Sequence, residues 1–202
     1  MSDVPDLRSM ENAGRYQVVL ADPPWRFKAR TAVATDGARS AGAHYPTMDL
    51  AAIKALPVRD VLARDCHLFL WTTGPFLELS FDVLAAWGFR YSTIAFAWMK
   101  LRRGAGGLFY DHVNDLHFGG GYTTRSNVEI CLLGRRGSPK RLSRAVRQAI
   151  LGPVREHSRK PDVTRERIIA YADGPRLEMF ARSRADGFDA WGNQVDKFED
   201  AA

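Results

Sequence analysis

The alternation of apolar and polar positions divides the chain into strands and helices. Tyr16-Gln17-Val18-Val19-Leu20-Ala21 is an apolar, β-branched run and predicts a buried strand. Residues 66–71, 93–99, 128–133 and 177–181 predict four more, and 146–151 a short edge strand. The near-continuous apolar character of 93–99 predicts burial on both faces. Between the strands the apolar positions shift to helical spacing. Thr47 is placed to cap a helix running to Leu56, with Leu50, Ile53 and Leu56 on one face and Pro57 ending it. Pro75 suits the first turn of a second helix, with Phe76, Leu77, Phe81, Leu84 and Ala85 as its apolar face and Gly88 as its end. A third is expected from Asp162 to Ala172, before Gly174-Pro175. Strands alternating with helices predict an α/β fold, a mostly parallel sheet flanked by helices.

Two stretches lack either period. Residues 26–44 are rich in Ala, Gly and Thr; so long a loop in a compact domain is a substrate lid or plain disorder. Residues 101–127 mix glycines with Phe109, Tyr110, Phe118, Tyr122, Arg102, Arg103 and Arg125. Arginines with aromatics on a loop suit stacking on bases and contact to phosphates, against the plainer alternative of a flap packed on the core. Residues 1–15 are mostly polar and are expected as a tail. A length of 202 residues suits one well-buried domain, here 16–198.

The first strand stops at Asp22-Pro23-Pro24-Trp25. The prolines cannot donate to a ladder and push their predecessors toward extended geometry. A carboxylate, two stiff residues and a large aromatic are thus held at the carboxyl end of a strand, where ligands bind in open α/β sheets. An aromatic amine, such as the exocyclic amine of a base, is a poor nucleophile because its lone pair is delocalised. The Asp22 carboxylate and a proline-flanked carbonyl can accept both of its N–H bonds and free that lone pair, and Trp25 can stack on the ring. The bland alternative is a strand-terminating turn with a capping Asp and a buried Trp.

Charge narrows the partners. The net charge is +6, and between Arg135 and Arg167 eleven Lys/Arg stand against Glu156, Asp162 and Glu166. That balance suits a polyanionic partner or a merely soluble basic surface. Cys66 and Cys131 each lie beside an apolar run and are expected as buried thiols, and the five histidines have no metal-ligand spacing. No apolar run approaches a membrane span, and the N-terminus lacks a signal-peptide pattern, so a cytoplasmic location without membrane contact is expected.

Val19-Leu20-Ala21-Asp22-Pro23-Pro24-Trp25 resembles the signature of the DPPW-motif (MT-A class) N(6)-adenine methyltransferases, the family of the catalytic subunit that writes N(6)-methyladenosine in eukaryotic mRNA. The resemblance continues in order through His44-Tyr45-Pro46-Thr47-Met48, Leu68–Gly74, Trp87-Gly88-Phe89, Ala97-Trp98-Met99-Lys100, Ser158–Asp162, Leu177–Arg182 and Gly192-Asn193-Gln194. It implies a Rossmann-like methyltransferase fold, S-adenosylmethionine as cofactor, and no metal. It also implies a nucleic acid substrate, DNA or RNA, with the adenine flipped or single-stranded. Only 21 residues precede Asp22, so the cofactor loop is expected after the 177–181 strand, in a permuted order.

Residue by residue, the resemblance makes Asp22 and Pro23 the acceptors for the amino group, with Pro24 and Trp25 shaping the pocket. It puts Asp22, Lys160, Arg182, Asn193 and Gln194 on the cofactor, and Trp25, Tyr45, Lys100, Arg125 and Glu129 near the substrate. In the mRNA enzyme a His-Asn pair follows the matching arginine; here Ser183-Arg184-Ala185-Asp186 follows Arg182. Ribose contacts there must differ, and Arg184 is free to face phosphate instead. The compact length favours DNA. The alternatives are an RNA enzyme, a non-catalytic nucleic-acid-binding scaffold of the same family, or a glutamine-amide methyltransferase, whose signature has Asn and Tyr in the outer places. A homodimer or a partner subunit is left open.

Overall fold

The computed structural model describes residues 4–26, 47–105, 114–120, 123–156 and 159–198. Seven strands form one sheet: β1 (Tyr16–Ala21), β2 (Leu62–Thr72), β3 (Arg90–Leu101), β4 (Val128–Arg136), β5 (Ala149–Pro153), β6 (Arg176–Met179) and β7 (Asp189–Trp191). Their order is β5-β3-β4-β2-β1-β6-β7. All neighbours are parallel except around β4, which runs antiparallel to both β2 and β3. The expected mostly parallel sheet is therefore present, with one reversed strand inside it.

Alternating residues serve the two faces. Val19, Ala21, Leu68, Leu70 and Leu132 belong to one core with Ile53, Val83 and Trp87. Val18, Leu20, Phe69, Trp71, Phe96 and Cys131 belong to the other, with Ile168. The helices follow suit: α1 (Leu50–Lys54), α2 (Val58–Val61) and α3 (Leu77–Ala86) cover the first face, and α4 (Val163–Tyr171) the second. Burial on both sides explains why β1 reads as a continuous apolar run. Cys66 and Cys131 are buried thiols in β2 and β4. Among the described residues no helix is long and apolar enough to cross a membrane.

Several expectations change. The helix after Thr47 begins at Leu50 and is capped by Asp49, whose carboxylate accepts from the Ala52 N–H at 2.8 Å. Asp49 wins because a carboxylate two residues later offers the same bond with a full charge near the helix N-terminus. In α3 the buried positions are Ser80, Val83 and Leu84, while Phe81 and Ala85 face outward and Phe81 packs edge-on against Tyr91. Strand β3 is not buried on both faces over 93–99: only Phe96 and Trp98 are buried, and both belong to the second core. Strand β7, three residues long, is too short for periodicity to show it.

The polar N-terminal stretch expected as a tail is docked in its described part. Leu7 is only 1 % exposed. The Trp191 Nε1–H donates to the Pro5 carbonyl at 2.8 Å, and Tyr16 Oη and Asn12 Nδ2 donate to Asp189 at 2.7 and 2.8 Å.

Helix α3 ends where Gly88 takes a φ of +85°, a conformation costly for any residue with a Cβ. Arg59, from α2, completes that end: its Nε and Nη2 donate to the carbonyls of Ala86 and Ala85 at 2.9 and 3.0 Å. A cation on the last carbonyls also complements the helix dipole. Arg59→Ala is expected to lower the urea midpoint, equivalent to about 1–2 kcal/mol, with an unchanged m value; an unshifted midpoint would show this cap to be inert.

Candidate active site

From β1 the chain turns first to β2 on one side and returns much later to β6 on the other. The C-terminal end of β1 is thus the point where strand order reverses, and Asp22 sits on it. Because β4 runs backwards, its start reaches the same end of the sheet. Glu129 pairs there with Trp98 of β3, two residues from Lys100. Lys160 arrives from the segment between β5 and α4.

These four side chains form one alternating chain of charge. Lys160 Nζ is 2.7 Å from Asp22 Oδ2 and 3.2 Å from Glu129 Oε2, and Lys100 Nζ donates to Glu129 Oε1. Each is less than a quarter exposed. Burial alone would raise the Glu129 carboxyl, but Lys160 and Lys100 together outweigh it and hold it below the ordinary carboxylate range. Burial would likewise discharge Lys160, yet Asp22 and Glu129 reverse that and hold it protonated well above the usual lysine value. The two ammonium groups also lie over indoles, Lys160 at 5.7 Å from Trp71 and Lys100 at 5.0 Å from Trp98.

A narrow, open cleft adjoins Asp22 and Lys160 and is lined further by Trp71, Thr164, Phe180 and Arg182. The buried Trp71 Nε1 and Thr164 Oγ1 have no hydrogen-bond partner among the described residues. Phe180 holds a φ of 62°, strained for an aromatic residue. Opposite it, a Cβ on Gly192 would lie 2.8 Å from the Ala181 carbonyl oxygen, so only glycine lets the two turns approach so closely.

The motif residues divide. Asp22 points into the cleft. The Pro23 carbonyl accepts from Trp25 N at 2.8 Å and keeps a second lone pair, while the Pro24 carbonyl accepts from Met48 N at 2.9 Å. Trp25 corrects the base-stacking expectation. It is 7 % exposed, stacks on Phe76 at 5.3 Å, and its Nε1 faces the Trp71 carbonyl. The proline turn drives the ring back into the core, so it anchors the motif from behind. Arg182 lines the cleft; Asn193 and Gln194, just beyond Gly192, do not. Arg125 lies over the Phe118 ring at 4.7 Å, also off the cleft. Arg184 stays exposed, with its Nε 3.1 Å from Asp196. Tyr45 and the expected lid, apart from Arg26, lie outside the described residues, as do residues 106–113, 121 and 122 of the second loop.

Sequence reasoning missed a second charged pair in the cleft. Arg165 grips Glu178 with two bonds, 2.7 and 2.9 Å, and Ser183 with a third at 3.1 Å. Burial pushes the Glu178 carboxyl up, and Arg165 opposes it. The signal was available: Glu178 interrupts the apolar strand Leu177–Phe180 as Glu129 interrupts its own.

The MT-A70 family model matches residues 16–194. The chain is 32 % identical over 197 residues to the Type II methyltransferase M.MunI of Mycoplasma sp, covering 90 % of this chain and 78 % of that protein. It is 31 % identical over 204 residues to an Arabidopsis thaliana N(6)-adenosine-methyltransferase MT-A70-like protein, covering 94 % and 25 %. Against the Homo sapiens N(6)-adenosine-methyltransferase catalytic subunit METTL3 it is 29 % identical over 195 residues, covering 91 % and 29 %. The chain thus spans most of the Mycoplasma protein but under a third of either eukaryotic one.

Glu129→Gln would leave Lys100 and Lys160 without the carboxylate between them and is expected to cost about 3 kcal/mol near neutral pH. Because the folded-state pKa of Glu129 is depressed, its contribution is complete above its unfolded value and is lost as pH falls through the lower one. Urea unfolding of both proteins across pH should therefore show a constant gap near neutrality that closes in acid. A gap persisting when both carboxyls are protonated would refute the charge origin.

Proposed function

The chain belongs to the MT-A70 family, and from that premise we propose how this methyltransferase acts: it methylates the N(6) amino group of adenine in a polynucleotide, in DNA rather than RNA. The observation that carries this reading is the Asp22–Lys160–Glu129 cluster at the switch point of the sheet, beside a cleft lined by charged and aromatic side chains. DNA is favoured by the 32 % identity to the Type II methyltransferase M.MunI over 78 % of that protein. A cytoplasmic location belongs to the same reading.

The cleft fits S-adenosylmethionine. Orphaned donors at Trp71 and Thr164, the carboxylates of Asp22 and Glu178, and the Phe180 ring suit a ligand with hydroxyls, an ammonium, a cationic sulfur and a purine. Asp22, Lys160 and Arg182, which line the cleft, would hold it. When bound, the donor supplies a methyl group on a sulfonium, a good leaving group, so the protein is asked for alignment and electrostatics.

The chain's own residues meet that demand. Lys160 engages one oxygen of Asp22 and fixes the carboxylate. The other oxygen and the free lone pair of the Pro23 carbonyl accept the two amino hydrogens, which turns the nitrogen lone pair out of the ring. Glu129 holds Lys160 in place, and Lys100 holds Glu129. Buried Trp25 fixes the turn and contributes stiffness.

Asp22→Asn keeps the size of the side chain but replaces an acceptor with a donor. Methyl transfer from radiolabelled S-adenosylmethionine is expected to fall by at least about 10²-fold. Trp25→Phe is expected to lower the melting temperature while changing the KM for polynucleotide by less than about threefold, because the ring is already covered. Parallel assays on single- and double-stranded DNA and RNA decide the polymer. Label in RNA alone would reverse the choice, and the absence of both transfer and donor binding would remove the enzymatic reading.

A further inference from the structure

Most surface cations with a described ion pair sit beside the site or on the helical face. Arg155 and Arg159 meet Asp162, Arg102 meets Asp115, Arg184 meets Asp196, Arg8 meets Asp6 and Lys54 meets Asp82. Arg26, Arg90, Arg103, Arg125 and Arg135 are also exposed without an ion pair among the described residues, but they are scattered, and one segment gathers several such cations. Lys140, Arg141, Arg144 and Arg147 are all exposed, fall within eight residues, and make no ion pair among the described residues. Four like charges so close repel one another, and no described carboxylate pairs with them.

The backbone beneath these side chains is held firmly. Arg167, from α4, donates through Nη1 to the carbonyls of both Arg147 and Ala149 at 2.7 Å. The Leu142 N–H donates to the Tyr171 carbonyl at 2.7 Å, and Gln148 Nε2 donates to the Ile94 carbonyl at 2.6 Å. The Ser138 N–H donates to Asp65 at 2.8 Å. An irregular stretch pinned by five bonds while its cations stay in water is built to present charge. The pinning uses Arg167 and backbone groups, so the four cations contribute little to folding.

The segment leads directly into β5, whose Gly152 pairs with Lys100 of the charge chain. Arg147 lies five residues before Gly152, roughly 16 Å down the strand axis. Asp22 lies four strands across the sheet from β5, roughly 19 Å, so Arg147 is roughly 25 Å from the reacting base, about seven base pairs at one phosphate per 3.4 Å of each strand. The row of cations crosses the sheet away from the site, from β2, where the Lys140 carbonyl faces His67 and the Ser138 N–H meets Asp65, to the start of β5.

We propose that Lys140, Arg141, Arg144 and Arg147 form a phosphate-binding rail for the duplex flanking the target adenine; the assignment rests on the polynucleotide reading of the active site. The rail contacts backbone only and carries no base recognition. It supplies a sequence-independent grip while the cleft residues act on one nucleotide. Contacts of this type release counterions, so each one carries a definite salt dependence.

The test is binding of the full chain to a random-sequence 30-base-pair DNA duplex, by fluorescence anisotropy across a series of salt concentrations. The K140Q/R141Q/R144Q/R147Q variant is compared with R8Q/R15Q/K54Q/R64Q, which removes four cations elsewhere on the surface. The rail variant is expected to flatten the slope of log K against log salt by about three to four, at about 0.9 per phosphate contact, and to weaken binding more than tenfold near 0.1 M salt. The control should change the slope by less than one, and the melting temperature of the rail variant should stay within about 2 °C. An unchanged slope in a folded rail variant overturns the proposal, and so does an equal change in the control, which would reduce the effect to net charge. Loss confined to single-stranded RNA also overturns it. Binding needs no methyl donor, so a rail that grips duplex in a protein that transfers no methyl group would sink the enzymatic reading alone.

Discussion

A lysine taken out of water must be held by acid, and the site is organised around that requirement. Lys160 lies between Asp22 and Glu129, and with Lys100 it outweighs the burial of the Glu129 carboxylate, while both carboxylates hold Lys160 protonated. The three residues come from the end of β1, the start of β4 and the loop before α4. They meet only because one strand runs backwards in an otherwise parallel sheet. The reversal of β4 is therefore a condition of the chemistry: it delivers a carboxylate at the end of the sheet where a parallel strand in its place would only begin its outgoing loop.

The cluster also explains the stiffness around it. Two prolines fix the backbone after Asp22, and Trp25 is wedged against Phe76 behind them. Phe180 and Gly192 crowd the other side of the cleft at the limit of backbone geometry. Strain of this kind persists only where neighbouring packing over-determines it. Here the packing comes from both cores of the sheet, so the scaffold on each face contributes to one rigid constellation.

Much of this was legible in the residues. Periodicity found β1 to the residue, because a strand buried on both faces and stopped by Pro23 leaves little choice. Asp22, held at the carboxyl end of β1 by the prolines, pointed to the site, and the family resemblance put Glu129 near it. What the sequence concealed has physical causes. Asp49 displaced Thr47 as a cap because capping depends on local geometry that two nearby acceptors both satisfy. Phe81 was assigned to the buried face of α3, but Ser80 took that place and bonds Thr72 and the Phe76 carbonyl. Trp25 carried two readings, and only the path of the chain after Pro24 shows which side its ring takes. The pairing of Arg165 with Glu178 spans a helix and a strand, and no spacing rule links them.

Strand β1 is central, yet its neighbours come from distant parts of the chain: β2 begins at Leu62, while β6 begins at Arg176. On a ribosome, the edge of β1 that will receive β6 stays open while about 155 further residues are made, roughly ten to thirty seconds at usual elongation rates. Lys160 likewise appears long after Asp22, so the nascent chain carries its catalytic motif without the cation that completes it. The molecule is synthesised with a bare strand edge and an incomplete centre, and both are closed late by its C-terminal segment. Cellular yield should therefore depend on what shields that edge during synthesis as much as on the stability of the finished fold.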